Sequence, residues 1–339
     1  MTQNTQASAP VHSIDVEAPA RLHLGFLDLH GGMGRRFGSI GLTIDSLATR
    51  LRAEQSDGFT ASGPGAQRAL KYAKAFARAR GINGGAHISL QQAIPDHIGL
   101  GSGTQMALAV GEAMEQLYGM QSTSRAIAQT LGRGARSGIG IGAFDQGGFI
   151  LDCGRGETEG VPPVAARLSF PEKWRVLLLF DIRGQGLHGT REVDAFSNLP
   201  EFPEGNAAHV CHLVMMKILP GILEEDFRTV ANAIGEIQQV VGDHFAPAQG
   251  GRFTSPVVAD ALAWCSSQGL SGVGQSSWGP TGFVLVEDEA QGQWVERGLK
   301  LRFGELSPLR CQQVAARNRG ASLKLIQTPT RLRQENRTQ

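Results

Sequence analysis

The amino-acid sequence predicts an α+β protein built from two domains. Its 339 residues exceed what one hydrophobic core usually supports, since a domain typically has about 150 residues. Strand-like and helix-like apolar patterns follow one another without a fixed repeat, and a Gly- and Pro-containing stretch, 153–163, separates two differently textured halves. We therefore expect domains over 13–160 and 161–327, flanked by flexible polar tails over 1–12 and 328–339.

The elements of the first half follow from the spacing of its apolar residues. Residues 86–90 alternate as in a half-buried strand, and apolar residues over 106–117 recur at helical spacing until Gly119. The same criteria predict the other elements of this half, which are strands over 40–44 and 149–151 and helices over 66–80 and 124–131.

The second half opens on a continuous apolar run, 174–180, which predicts a strand covered on one or both faces. The remaining predicted elements are helices over 207–219, 225–241 and 256–268 and strands over 282–286 and 322–326.

Composition excludes several classes of function. The 32 Lys+Arg against 31 Asp+Glu give a net charge of +1, so the chain is not expected to coat nucleic acid or an acidic membrane. No apolar run approaches the roughly 20 residues that span a bilayer, and the N-terminus lacks a signal-peptide pattern. We expect a cytoplasmic protein with no membrane partner. Its 4 cysteines have no CxxC spacing, which argues against a disulfide framework or a structural zinc site.

The loop between the 86–90 strand and the following helix is the strongest functional signal. Residues 95–105 read PDHIGLGSGTQ, which is neither a Walker loop nor a GxGxxG motif. Glycines let the backbone approach a ligand closely, and the helix that follows offers unpaired N–H groups and a positive dipole end. We predict a phosphate or pyrophosphate site. The residues assigned to it are Gly99, Gly101, Ser102, Gly103 and Thr104.

A second cluster lies among the glycines of 21–45. It contains Arg21, His23, Asp28, Arg35 and Arg36. Adjacent arginines in a glycine-rich loop are suited to binding a phosphate or carboxylate through paired hydrogen bonds. An acid among arginines either forms an ion pair with them or binds a metal or a proton. We predict that Arg21 and His23 contact substrate and that Asp28, Arg35 and Arg36 are catalytic.

Three further segments carry candidate residues. Asp145 lies in a flexible, glycine-lined turn within 137–148, where it either caps backbone N–H groups or holds a cation or proton, and we predict that it is catalytic. The loop 272–281 contains Trp278, which is either a hydrophobic plug or a wall for a flat aromatic ligand. The segment 181–192 follows a strand and can form another polar side of a cleft. The substrate-binding candidates from the last two segments are Gln275, Ser276, Ser277, Trp278, Thr281, Arg183 and His188.

Several of these strings resemble a known superfamily. The string PDHIGLGSGTQ resembles the PxxxGLGSS motif of the GHMP kinases, and the Asp145 segment resembles the stretch that carries their catalytic acid. A non-kinase branch, the β-ribofuranosylaminobenzene (or ribofuranosylphenol) 5′-phosphate synthases, is closer still. The resemblance covers about 14–326 and rests on ARLHLGFLDLHGGMGRRFGSIGLTID, RGARSGIGIGAFDQGGFILDCG and GQSSWGPTGF.

The resemblance implies an N-terminal domain like ribosomal protein S5, a ferredoxin-like C-terminal domain and a ligand cleft between them. It also implies a transferase that condenses phosphoribosyl pyrophosphate with 4-aminobenzoate or 4-hydroxybenzoate. The products are a β-ribofuranosyl arene 5′-phosphate, carbon dioxide and pyrophosphate, at the start of tetrahydromethanopterin biosynthesis. Homodimers and dependence on Mg²⁺ are expected of the family, with Asp28 or Asp145 as the candidate metal ligand.

One departure from the kinase pattern weakens the alternative of an ATP-dependent small-molecule kinase. Gly103, Thr104 and Gln105 stand where kinases usually have Ser-Ala-Ala. In that alternative Asp145 is the base and the 95–105 loop holds ATP. A third interpretation is a phosphate-ligand sensor without catalysis. In the synthase interpretation the loop stabilises departing pyrophosphate, Arg35 or Arg36 orients the benzoate carboxylate or the 5-phosphate, and the aromatic ring attacks the ribose from the opposite face.

Overall fold

The computed structural model describes residues 11–157, 160–184 and 199–327. The candidate His188, the tail 328–339 and most of the predicted N-terminal tail lie outside these residues, although residues 11 and 12 already belong to the first strand. Alternating strands and helices in two packed units confirm the predicted α+β class.

The first unit is built on a sheet that has seven strands within the described residues. Its strands are β1 (Val11–Asp28), β2 (Phe37–Ser56), β3 (Thr60–Ser62), β4 (Gly85–Gln92), β5 (Phe149–Asp152), β6 (Val164–Leu168) and β11 (Ser322–Gln327). The long hairpin of β1 and β2 forms its centre, with β11 beside β1, and β4 and β5 beside different parts of β2. All pairs are antiparallel except β3 with β4.

Helices α1 (Ala66–Arg80), α2 (Ser102–Leu117), α3 (Ser124–Thr130) and α4 (Ile139–Asp145) belong to this unit. The core between the sheet and these helices contains small and aliphatic side chains of α2 with Phe76 of α1 and Ile14 of β1. Buried alanines along α2, such as Ala107 and Ala113, allow the helix to lie close to the strands.

The second unit has a four-stranded antiparallel sheet in the order β10, β7, β9, β8. These strands are β7 (Arg175–Asp181), β8 (Val273–Gln275), β9 (Gly282–Val286) and β10 (Leu309–Ala315). Helices α8 (Pro256–Ser267) and α9 (Glu289–Phe303) cover one face with an aliphatic core that includes Leu177, Leu262 and Val295. The other face packs toward α5 (Glu204–Leu213), α6 (Leu219–Leu223) and α7 (Phe227–Gln249), and a π-helical turn, Val214–Ile218, joins α5 to α6.

The two units share one hydrophobic core and a polar link. Gly25 of β1 lets α7 approach closely, because a Cβ there would lie 2.7 Å from Cγ2 of Ile237. The next residue of α7, Gln238, donates from Nε2 to the Leu24 carbonyl at 2.7 Å and accepts at Oε1 from the Gln275 amide at 2.7 Å. The buried amide of α7 therefore joins the central hairpin to β8.

The domain boundary differs from the predicted division at 160/161. Strand β6, over 164–168, pairs with β5, and the final strand, over 322–327, pairs with β1. Both therefore extend the first sheet, and the chain returns to the first unit at its end. The interval 153–163 is a connection within this sheet, which its glycine and proline content does not distinguish from a domain linker.

The stretch 204–223 is long and apolar enough to cross a membrane by length and composition alone. Its residues Val210, Leu213 and Ile218 lie in the core shared with the first sheet, which is the environment of a core helix. The 4 cysteines are all free thiols.

Candidate active site

The loop before α2 adopts the geometry of an anion-binding turn. Gly99 and Gly101 have φ of +83° and +82°, and Gly101 is the N-cap of α2. Amides of Thr104 and Gln105 both donate to the Gly101 carbonyl at 3.1 Å. The amides of Ser102 and Gly103 make no hydrogen bond within the described residues, so they remain as donors at the positive end of the helix.

Three arginines surround this loop. Arg21 of β1 donates from Nη1 to the Gly99 carbonyl at 2.7 Å. Arg68 of α1 donates from Nη1 to Ser102 Oγ at 3.4 Å and pairs with Asp96, while its buried Nε and Nη2 have no hydrogen-bond partner in the described structure. With one carboxylate against three guanidinium groups, the loop carries positive charge and unused donors.

Arg133, which follows α3, completes the group. A Cβ on Gly103 would lie 3.2 Å from its Nη2 and 3.3 Å from its Nη1, so the guanidinium covers the first turn of α2. Its carbon atom Cζ lies 5.3 Å from the centre of the Tyr72 ring, and Nη2 donates to the Tyr72 hydroxyl. The ring of α1 therefore fixes the orientation of this cation beside the loop.

The loop of 275–281 packs directly on the glycine loop. Ser276, which is fully buried, donates from Oγ to the Gly99 carbonyl at 2.8 Å and accepts from the His23 amide at 3.0 Å. Its own amide donates to the Thr281 carbonyl at 2.9 Å, and a Cβ on Gly99 would lie 2.3 Å from the Ser276 carbonyl oxygen. Ser276 and Thr281 therefore join the second unit to the anion loop.

His23 is a buried, neutral imidazole beside this contact. Burial, with a smaller contribution from the charge of Arg21, lowers the pKa of His23 to about 3. Its Nε2 atom has no hydrogen-bond partner among the described residues. A buried imidazole of this kind offers a substrate one neutral nitrogen and carries no charge at neutral pH.

A narrow pocket of about 30 Å³ extends from His23 and is lined by aromatic rings and polar loop residues. Trp278 is 5% exposed, and its ring centre lies 4.5 Å from that of Phe245. Ser277 and Gln275 also line it, although Gln275 is occupied by hydrogen bonds to Thr254 and Gln249. At this volume the pocket holds a water or two rather than an arene, so the ring-stacking role of Trp278 remains a prediction.

The turn of the β1–β2 hairpin holds the other basic candidates. Asp28 accepts at Oδ1 from the Gly31 amide at 2.8 Å, which caps the turn. Arg35 donates to the carbonyls of Cys153 and Gly154 at 3.0 and 2.9 Å, so it ties the hairpin to β5. Arg36 donates from Nε to the Leu29 carbonyl at 3.0 Å and lines a separate cavity.

The structure does not bring Asp145 to the anion loop. Asp145 is the last residue of α4 rather than part of a flexible turn. Its neighbours are Ser124 and Glu112, and Glu112 lies about 12 Å along α2 from Thr104 at a rise of 1.5 Å per residue. Desolvation raises the pKa of Asp145, and a hydrogen bond from Ser124 partly offsets the rise. Asp145 therefore has no geometric support as the base or as a metal ligand of this site.

Arg183 lies at the edge of the second unit. Its guanidinium donates from Nε and Nη2 to the two oxygens of Asp181 at 3.0 and 3.2 Å, and its side chain is 64% exposed. The hydrogen bond from Arg183 lowers the pKa of Asp181. This pairing places Arg183 outside the contacts that surround the anion loop.

Sequence reasoning missed Arg68 and Arg133, and it also missed the buried carboxylate Asp152. Asp152 accepts at Oδ2 from Ser39 Oγ, Ser137 Oγ and the Gly138 amide, and at Oδ1 from the Gly154 amide. Burial raises the pKa of Asp152, and these hydrogen bonds offset only part of the rise. The position of Asp152 at the end of an otherwise apolar strand was the sequence signal that could have identified it. Its hydrogen-bond partners indicate that it fixes the backbone before α4.

The carboxylates nearest the predicted sites make other contacts in the described part of the chain. No group of three or more His, Cys, Asp or Glu side chains capable of holding a metal occurs in the described part of the chain. Asp96, the carboxylate beside the loop, is paired with Arg68, and Asp28 caps the hairpin turn. The cationic groups that the described residues place at the loop are the arginines.

Comparison with known proteins identifies the family. The model of the GHMP kinases N-terminal domain matches residues 67–152, and that of the GHMP kinases C-terminal domain matches 218–304. A solved homoserine kinase from Cytophaga hutchinsonii superposes with a TM-score of 0.67 at 19% identity, covering 95% of this chain and 100% of its own, which supports the fold alone.

Curated relatives identify the branch of this superfamily to which the chain belongs. The chain is 34% identical over 325 residues to beta-ribofuranosylphenol 5′-phosphate synthase of Archaeoglobus fulgidus, covering 91% of this chain and 99% of the relative. It is 32% identical to the synthase of the same name from Methanothermobacter thermautotrophicus, covering 90% and 97%. The predicted superfamily and branch are thereby confirmed: the chain is an enzyme of the beta-ribofuranosylphenol 5′-phosphate synthase family, which has the GHMP fold.

Proposed function

We propose that this enzyme transfers a phosphoribosyl group from phosphoribosyl pyrophosphate to 4-hydroxybenzoate or 4-aminobenzoate with loss of the acceptor's carboxylate. The observation that carries the proposal is the glycine loop at the start of α2, which three arginines surround and which Ser276 joins to the second unit. A diphosphate, with several negative oxygens, matches this set of N–H donors better than a single carboxylate does.

The loop favours cleavage of the bond between ribose C1 and the diphosphate. As this bond breaks, its electron pair leaves with the diphosphate, and negative charge grows on oxygens that face the Ser102 and Gly103 amides and the guanidinium groups of Arg68 and Arg133. Fixed donors that meet developing charge lower the barrier because they need no reorganisation.

The acceptor then forms a carbon–carbon bond to C1 from the ring carbon that bears the carboxylate. The bond from that carbon to the carboxylate breaks, carbon dioxide leaves, and the released electron pair restores aromaticity. The reaction balances without any other reagent. Neutral His23 and the rings of Phe245 and Trp278 line one pocket, where they suit the aromatic ring of the acceptor, and binding the acceptor there requires this pocket of about 30 Å³ to open.

The proposal also includes Mg²⁺, which would bind together with the donor as a complex with its diphosphate. A homodimer, a cytoplasmic location and an early place in tetrahydromethanopterin biosynthesis are proposed from the family resemblance. The kinase alternative loses support because Asp145, its expected base, lies beside Glu112 rather than at the loop.

The test is release of labelled carbon dioxide from carboxyl-labelled 4-hydroxybenzoate and 4-aminobenzoate, with and without phosphoribosyl pyrophosphate. We expect release from at least one acid, strictly dependent on the donor. No release from either acid, with folded protein and Mg²⁺ present, contradicts the proposal. Formation of ADP from ATP with a panel of small alcohols would favour the kinase instead.

A further inference from the structure

One carboxylate lies among the arginines of the anion loop. Asp96 precedes the glycines of this loop, and its Oδ1 forms an ion pair with Nη1 of Arg68. The Asp96 side chain is 44% exposed and that of Arg68 is 20% exposed, so the pair lies at the edge of the site. A carboxylate in this position repels a free polyanion and attracts a cation that is bound to one.

Asp96 lies close to the first residue of α2. Nη1 of Arg68 contacts Asp96 Oδ1 and also donates to Ser102 Oγ at 3.4 Å. Two oxygens that contact the same nitrogen are at most about 6 Å apart. The amide of Ser102 is one of the unused donors at the positive end of the helix. Mg²⁺ prefers oxygen ligands and keeps several of its waters, so a carboxylate this close can bind a metal ion on the anion, directly or through a water.

The ion pair with Asp96 leaves other donors of Arg68 for the anion. Nη1 contacts both Asp96 and Ser102, whereas Nε and Nη2 are buried and make no hydrogen bond within the described residues. A guanidinium carries five N–H donors in a planar arrangement. An anion that accepts from the unused donors therefore leaves the carboxylate in place beside it.

The charges at the loop fall short of a free diphosphate. Within the described residues, three guanidinium groups surround the loop and one carboxylate pairs with them, which leaves two positive charges in excess. A diphosphate carries about three negative charges near neutral pH, because the second pKa of a terminal phosphate is about 6. A divalent cation on the diphosphate makes up this shortfall and provides a positive charge next to Asp96.

We infer that Asp96 makes the anion loop select the Mg²⁺ complex of the donor's diphosphate over the free diphosphate. This inference rests on the proposed function and assigns to Asp96 a contact with the metal ion, directly or through a water. The competing interpretation is that Asp96 only orients Arg68, or occupies it until the anion binds. Removal of the carboxylate would then change the affinity for both forms of diphosphate by the same factor.

The experiment measures equilibrium binding of inorganic diphosphate by calorimetry, once with excess Mg²⁺ and once with a chelator. The test variant is Asp96→Asn, which keeps the size of the side chain and removes its charge, and the matched control is Asp57→Asn, at an exposed acid after β2. We expect Asp96→Asn to tighten binding of free diphosphate by about 3- to 10-fold and to weaken binding of the Mg²⁺ complex by about tenfold. The preference for the complex therefore falls by about 30- to 100-fold. Asp96→Glu should retain part of this preference, and Asp57→Asn should change neither affinity.

Equal changes in the two affinities of folded Asp96→Asn overturn the inference, because a residue that only orients or occupies Arg68 acts on both forms alike. An unchanged affinity for the Mg²⁺ complex overturns it as well. The turnover test is separate. A preference for the Mg²⁺ complex that depends on Asp96, without release of carbon dioxide, would retain this role and reject the proposed reaction. Release of carbon dioxide with an unaltered preference in Asp96→Asn would retain the reaction and reject the role.

Discussion

Arg133 provides the sharpest test of the anion loop, because it begins the string RGARSGIGIGAFDQGGFILDCG and yet received no role from the sequence. Its guanidinium would lie 3.2 Å from a Cβ on Gly103, at the first turn of α2, and its buried Nε has no partner among the described residues. A diphosphate on the Ser102 and Gly103 amides would gain at least one charged hydrogen bond from Arg133. Such a bond contributes about 2 kcal/mol, which corresponds to roughly thirtyfold in affinity.

We therefore expect Arg133→Met to weaken binding of inorganic diphosphate by about 10- to 100-fold and to raise KM for phosphoribosyl pyrophosphate by a similar factor. Arg133→Lys retains the positive charge without the planar guanidinium. Its affinity for diphosphate should therefore lie between that of the parent protein and that of Arg133→Met. Arg125→Met is the control, because Arg125 donates from Nη2 to the Val161 carbonyl at 2.5 Å, away from the loop.

Calorimetric titration with diphosphate gives the affinity, and thermal unfolding of each variant establishes that the fold is retained. Loss of the contact with Tyr72 should lower stability by only about 0.5–1 kcal/mol. If folded Arg133→Met binds diphosphate as tightly as the parent protein, the arginines do not hold the anion and the reasoning fails.

Three other predictions concern buried polar groups. Ser276→Ala leaves the His23 amide without its partner and the Gly99 carbonyl with only its hydrogen bond from Arg21. We expect it to reduce the free energy of unfolding in urea by about 1–3 kcal/mol; a loss no larger than that of exposed Ser267→Ala would contradict this. Because the folded-state pKa of His23 is about 3 against 6.5 when exposed, its contribution to stability is complete above pH 6.5 and declines as the pH falls, by up to about 1.4 kcal/mol per unit. His23→Gln should flatten the decline between pH 6.5 and 5, as measured by urea unfolding, and a slope equal to that of the parent protein would rule out this assignment. Asp152→Asn replaces one of two acceptor oxygens by a donor opposite existing donors, so we expect a loss of about 2 kcal/mol or more in the same assay, and an unchanged unfolding midpoint would be the contrary result.

The fold was predictable wherever apolar spacing was strong. Helix α1 spans Ala66–Arg80 and β9 spans Gly282–Val286, both as expected from the sequence. By contrast, β1 runs without interruption through Arg21 and Gly25, although both belong to the glycine- and arginine-rich segment 21–45, which resembles a loop. Pairing with β2 and packing of α7 on Gly25 stabilise this strand, and neither contact leaves a local signal.

The glycine loop at the start of α2 could be singled out as a candidate anion site because its proposed ligand-binding groups are backbone amides of one continuous segment. Two of the three arginines beside it were not singled out, since Arg68 comes from α1 and Arg133 follows α3, and only the tertiary fold brings them to the loop; Arg21 was already a candidate. Asp145 shows the opposite error. Its glycine neighbours suggested a turn at the site, but it is the last residue of α4 and faces Glu112.

The central claim is that the donor's diphosphate is held at the start of α2, and a crystal structure with bound phosphoribosyl pyrophosphate tests it most directly. We predict that diphosphate oxygens lie within hydrogen-bonding distance of the Ser102 and Gly103 amides, flanked by Arg68 and Arg133. Full density for the donor elsewhere, with the glycine loop free of anion, would contradict the account.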